Sequence, residues 1–211
     1  MMSERIFVEK LYETLKSMLN EGKFTWLKKV YRHRNLARAI WIEWWKGATP
    51  PRTEVDLILI FEDPIQLNDK ALIGCLEIEY FTPNDIKRKN FYAGLQQVMA
   101  FSVFGFDGLS LWHVFAPEVR EDIILNFTNT MDELLKGFKL PVVYLAAKLE
   151  KEEKLILRSF SPWQNIVRNA EYFIECLNNF WMNREWRNTL LQDSKIRDRR
   201  SVIKILLKVP I

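Results

Sequence analysis

The chain has 211 residues, 48% of them hydrophobic and 27% charged, with a net charge of +4 and a pI near 9.0. That length supports one sizeable core and that balance is globular, which excludes a disordered or fibrous chain. No run of about 18 apolar residues occurs, which excludes a membrane-spanning helix.

The opening segment mixes charged with apolar residues and does not read as a secretory leader. Ser3 precedes a helical pattern carried by Ile6, Phe7, Leu11, Leu15 and Met18, and Gly22 ends it. A second helix is predicted from Phe24 to about Ala37. Ala39 to Lys46 holds Ile40, Trp41, Ile42, Trp44 and Trp45 just before Gly47-Ala48-Thr49-Pro50-Pro51. Its aromatic and β-branched content favours a strand over a continuation of that helix. Val55–Phe61 and Ala71–Phe81 are β-rich runs on either side of a turn-rich connector, Glu62 to Lys70, and read as a β-hairpin. Asn84 to Phe104 reads as a helix closing at Gly105, and Leu109–Phe115 as a strand reached by a right-handed parallel crossover. Pro117 and Glu118 open a helix to about Phe138. Val142–Ala147 and Leu155–Phe160 form a late hairpin, Pro162 starts a long aromatic-rich helix to about Leu191, and a basic tail follows. The expected fold is α/β, with one mixed central sheet flanked by helices. Residues 1–116 would form its core, and residues 117–211 a helix, hairpin and long-helix extension packed on that core as one domain.

Strand residues alternate faces, so Glu77 and Glu79 share a side, and Asp56 shares one with Glu54, Ile58 and Ile60. A hairpin closing symmetrically about its connector puts Asp56 opposite residue 76 or 77, its carboxylate about 5 Å from that of Glu77. Clustered carboxylates repel one another and resist desolvation, so they call for a cation, bound protons or basic partners. The bland outcome is a polar edge paired with Lys or Arg. The sharper one is an oxygen-only site for Mg2+ or Mn2+.

Asp56, a hairpin, Glu77-Ile78-Glu79, a helix and a further strand together resemble the PD-(D/E)xK nuclease superfamily. Val98 to Gly105 followed by the strand from Leu109 is similar to archaeal Holliday junction resolvases. The whole chain also resembles nuclease-like proteins of spindle-shaped viruses of thermophilic archaea. The superfamily likeness covers roughly residues 1–116. It implies a restriction-endonuclease-like core and an Mg2+- or Mn2+-dependent deoxyribonuclease, acting as an endonuclease on branched DNA. It also implies metal ligands Asp56 and Glu77, with the Ile78 carbonyl as a third, and a homodimer in the cytoplasm (the host's, for a viral protein). Two positions depart from the pattern: Val55 precedes Asp56, and Glu79 stands where lysine is usual. Lys87 or Lys89 could supply the missing cation, or the protein has lost catalysis and binds nucleic acid or protein on the same fold. Gln97 with Phe101 resembles the QxxxY signature of the exonuclease branch, and Glu13, or else Glu9, would be the first-helix acid of a resolvase.

Three basic stretches stand out: Lys28 to Arg38, Lys87 to Lys89, and Arg184 to Lys208. Such runs are most often solvated faces. In the nuclease reading Lys28, Arg32, Lys87, Arg88 and Lys89 would follow phosphates. The only histidines are His33 and His113. His113, in line with Leu111 and Phe115, reads as a core histidine bonded to backbone. Cys75 and Cys176 fit no zinc pattern, and Cys75 reads as core in a reducing compartment. No GxSxG, P-loop or HExxH motif occurs. The tryptophans Trp41, Trp44, Trp45 and Trp112 read as core, and Trp163, Trp181 and Trp186 as packing or a dimer face.

Overall fold

The structure is a computed structural model that describes residues 2–36, 54–63 and 71–209. The strand expected over 39–46, with three of its tryptophans, and most of the hairpin connector lie outside the described residues.

Helix α1, Glu4–Asn20, starts where the Ser3 hydroxyl accepts the Ile6 N–H, and Gly22 leaves it at φ +68°. The next element corrects an expectation. Leu27–Asn35 is not a helix but an extended strand, β1. Its lysines and arginines suit a helix locally, but pairing with β2, Glu54–Glu62, bonds one side of the backbone along the segment and overrides that preference. Among the described residues β1 is an edge strand of the sheet, where charged side chains discourage further pairing.

β3, Ala71–Phe81, pairs antiparallel with β2 as the predicted hairpin requires. The helix expected over 84–104 is shortened to a single 3-10 turn, Asp85–Lys87, and α2, Leu95–Ser102. Asp85 folds back to accept the Thr82 N–H and hydroxyl, and Gly94 at φ +77° breaks any helix across it. β4, Gly108–Phe115, lies parallel to β3, and β5, Val142–Lys151, parallel to β4 across helix α3, Glu121–Gly137. β6, Ile156–Ser161, and the short β7, Val167–Asn169, bring the mixed sheet to seven strands among the described residues, in sequential order.

The long helix expected from Pro162 is also corrected. After Pro162 the chain turns back along β6, with Ser159 N–H donating to Ile166 O at 2.8 Å, so α4 runs only over Ala170–Met182. Asn183 and Asn188 each accept an N–H two residues on, capping short 3-10 turns in its place. The basic tail is a helix, α5, Ser194–Leu206, capped by Asp193.

Helices α1 and α4 cover one face of the sheet. Phe7 and Phe173 both reach the Trp112 ring there, at 5.6 and 5.4 Å between centroids. The fully buried Trp181 of α4 lies on Gly74 of β3 and Gly108 of β4, where a Cβ would come within 2.0 and 2.4 Å of the indole. Only glycine lets this ring sit flat on two adjacent strands. α2 and α3 cover the other face, where Phe127 meets Phe81 edge-on. Much of the basic C-terminal stretch is structural. Arg200 grips Asp107 through two nitrogens at 2.7 and 2.9 Å, and Arg187 holds the buried Asp63 at 2.6 Å. Among the described residues no helix is long and apolar enough to cross a membrane.

Candidate active site

The β2–β3 register pairs Leu57 with Leu76. One step further along the same ladder puts Asp56 opposite Glu77, as the symmetric hairpin predicts. The Ile78 N–H donates to Asp56 Oδ2 at 2.9 Å, which fixes the Asp56 carboxylate against β3. Glu77 is 4% exposed, and the side chains of Asp56 and Glu79 are each 13% exposed. These three carboxylates therefore sit at the shoulder of the core, where ionisation needs nearby positive charge or donors.

Glu79 has such a partner. Lys89 Nζ lies 2.5 Å from Glu79 Oε2 and 3.3 Å from Glu4 Oε2. Burial works against the Lys89 ammonium, but the hydrogen bond and charge of Glu79, helped by Glu4, outweigh it and hold its pKa above the ordinary lysine value. The first-helix acid drawn to this side is thus Glu4. Glu9 and Glu13 both bind Arg32 instead, Glu13 at 2.8 Å.

Gly94, the N-cap of α2, rests on the two glutamate stems. A Cβ there would stand 3.0 Å from Glu79 Cγ and 3.4 Å from Glu77 Cγ. The N-terminal end of α2, whose Leu95 and Gln97 N–H groups are bonded to Tyr92 O and Gly94 O, accordingly sits beside the carboxylates, where its dipole favours negative charge. One turn in, Gln97 Nε2 is buried with no hydrogen-bond acceptor among the described residues, whereas Gln96 is exposed.

One neighbour of the site was missed in the sequence. His33 Nδ1 lies 3.6 Å from Glu54 Oε1 and 3.8 Å from Asp56 Oδ1. Read as helical, residues 27–35 gave no reason to place His33 across from Asp56. The β1–β2 register, with Arg32 on Leu57 and Arg34 on Val55, puts it there.

His113 is a core residue, as expected. Its Nε2 bonds the Ala93 carbonyl and its Nδ1 the Tyr144 hydroxyl, both at 2.9 Å, and burial lowers its pKa to about 4. The imidazole is therefore neutral, with Nε2–H donating and Nδ1 accepting. Both cysteines are buried and free. Of the presumed phosphate contacts, Lys87 and Arg88 are exposed, Lys28 pairs with Glu62 at 2.6 Å, and Arg32 is taken up by α1.

Among the described residues no three His, Cys, Asp or Glu side chains are grouped so as to hold a metal ion by themselves. Comparison with family models, with curated proteins and with solved structures returns no match for this chain.

Proposed function

We propose that this chain is a divalent-metal-dependent nuclease of the PD-(D/E)xK kind, hydrolysing phosphodiester bonds in DNA. The observation that carries the reading is the Ile78 N–H bonded to Asp56 Oδ2 where the β2–β3 ladder ends at Leu57 and Leu76, with Gly94 of α2 resting on the Glu77 and Glu79 stems. The order of elements supports it too: a helix, three antiparallel strands, a helix and a parallel strand, the series the resemblance calls for in a restriction-endonuclease-like core.

The donor set suits a hard cation. Mg2+ is commonly held by one or two carboxylates, with water and substrate phosphate completing its shell, so a pair formed by Asp56 and Glu77 is enough without a third protein acid. The Ile78 carbonyl would be the added ligand. When bound, such an ion lowers the pKa of a water and offsets charge on the phosphate. The chain's own residues do the rest. The Ile78 amide orients Asp56, and the N-terminal end of α2 favours the anionic site. Gln97, whose buried amide nitrogen has no acceptor among the described residues, would be the amide that the resemblance puts beside it. Lys89 supplies the cation that the sequence lacks at position 79, reaching the same place from the loop after β3.

Branched DNA as substrate and a homodimer as the working form come from the likeness to resolvases. Cleavage of junction, flap and linear DNA in Mg2+ and in Mn2+, by the wild type and by Asp56→Ala, tests the reading. The wild type should cut and the variant should not; equal activity in both removes the site. One observation favours a second reading, a nucleic-acid-binding protein that has lost catalysis: Glu79 is already held by Lys89. Binding without cleavage in either metal would decide for it.

A further inference from the structure

Where β5 begins and β6 ends, the C-terminal half of α3 and the turn after α4 enclose a cavity of about 460 Å3, a size that suits a small organic ligand. All of its lining residues are described ones, and none belongs to the carboxylate site, from which β4 separates it. Its walls are mostly apolar, with Leu140, Pro141, Phe180 and Trp186 among them. Phe180 is already faced by Trp163 and met edge-on by Trp186, and both Phe180 and Trp186 are half-buried. Set into these walls is Asp132 of α3, itself half-buried. One donor serves it: the buried Ser161 hydroxyl, 3.2 Å from each of its carboxylate oxygens. Burial pushes the Asp132 carboxyl above the ordinary aspartate value, against the Ser161 hydrogen bond and the charge of Lys136. Lys136 and Lys139 line the same cavity, are exposed, and make no ion pair among the described residues. The other lining acid, Glu185, is exposed and lies 3.5 Å from Asn183 Nδ2.

A half-buried carboxylate with lone pairs to spare calls for donors. The two lysines disfavour a second cation beside it, so the donors it suits are neutral N–H groups on a largely apolar body. Guanine is the nucleobase that presents two adjacent donors on one edge, N1–H and the N2 amino group, matching the two oxygens of one carboxylate. Its flat faces suit apolar and aromatic walls. Adenine would set its N1 acceptor against the carboxylate and be refused. A phosphate on the same molecule would meet the lysine ammonium groups. We propose that this cavity is a guanine site, in which Asp132 accepts from N1–H and N2–H while Lys136 and Lys139 meet the 5′ phosphate. The same chemistry serves a free guanine nucleotide and an unpaired guanine of a nucleic acid. The site stands apart from the nuclease reading and does not depend on it.

The test is calorimetric titration in EDTA with GMP, IMP, AMP, guanosine and tryptamine, beside fluorescence anisotropy of labelled oligothymidylate carrying one central guanine, hypoxanthine or thymine. The intact protein should prefer guanine to hypoxanthine, which lacks the N2 donor, by about tenfold, and should not bind AMP. Asp132→Asn keeps the shape of the side chain and should abolish that preference. Lys136→Glu should weaken GMP about fivefold and leave guanosine unaltered. Lys154→Glu, the same charge change on the β5–β6 turn, should alter neither. Circular dichroism and matching melting curves exclude misfolding, and the guanine-to-hypoxanthine ratio of the wild type decides alone should Asp132→Asn be unstable. Tighter binding of the guanine-bearing strand than of GMP makes nucleic acid the source of the base, and the reverse makes it a free nucleotide; both uphold the site. Binding of neither at millimolar concentration, equal affinity for guanine and hypoxanthine, a preference that survives Asp132→Asn, or tryptamine bound more tightly than GMP overturns the proposal.

Discussion

Replacing Lys89 by methionine keeps the stem and removes the charge that faces Glu79. Glu79 is 13% exposed and Lys89 32% along their side chains, so the pair is neither a surface bridge nor a fully buried one. Surface pairs contribute about 0–1 kcal/mol, whereas breaking a buried pair costs about 3–5 kcal/mol because a charge is left behind. A half-covered pair with a second acceptor, Glu4, falls between, at about 2 kcal/mol. For a domain of this size that corresponds to a melting point lower by about 4–8 °C. The pH dependence follows from the sign of the shift. Lys89 has a raised pKa, so its contribution is complete below the unfolded lysine value and is lost as pH rises through the folded one, above about 10.5. Urea unfolding of wild type and Lys89→Met in EDTA should therefore show a gap at neutral pH that closes in strong alkali. Mn2+ should restore more stability to the variant than to the wild type, since a divalent ion can take over the compensation of Glu79. Equal stability at neutral pH would refute the idea that Glu79 depends on this ammonium, and a gap unchanged in alkali would show that the methionine acts by packing alone.

Two other perturbations follow from the same geometry. His113 is neutral in the fold with a pKa near 4, so its contribution is present above about pH 6.5 and is lost as pH falls toward 4. Acid titration of stability should be about 3 kcal/mol shallower over that window in His113→Gln than in wild type, and parallel curves would contradict the burial argument. Gly94→Ala adds a methyl group 2.7 Å from Leu111 Cδ1 at a φ of +77°. Backbone strain and overpacking together should cost about 2–4 kcal/mol in urea unfolding, and a loss below about 1 kcal/mol would mean that the start of α2 moves readily off the carboxylates.

The parts of this fold that could be read in the sequence are those where local pattern and tertiary demand agree. The β2–β3 hairpin is the clearest case: two β-rich runs about a turn-rich connector put Asp56 opposite residue 76 or 77, and the observed register, with Leu57 on Leu76, agrees with the latter. β1 was hidden because Lys28, Lys29, Arg32 and Arg34 are good helix formers, and only pairing with β2 makes the segment extended. That one misreading also concealed His33, whose position depends entirely on strand register. Lys89 was visible as a charge near the motif, but no sequence spacing shows that the loop after β3 folds it onto Glu79. The C-terminal arginines mislead in the opposite direction. Arg187 and Arg200 read as part of a solvated basic run and instead hold Asp63 and Asp107 inside the fold.

The central claim is that Asp56 and Glu77 together grip a divalent ion, and calorimetric titration with Mn2+ addresses it without requiring turnover. Wild type should take up Mn2+ at this site, and Asp56→Asn and Glu77→Gln should each weaken the uptake by about tenfold or more. Mn2+ binding of equal strength in all of these proteins, or none in the wild type, would contradict the account.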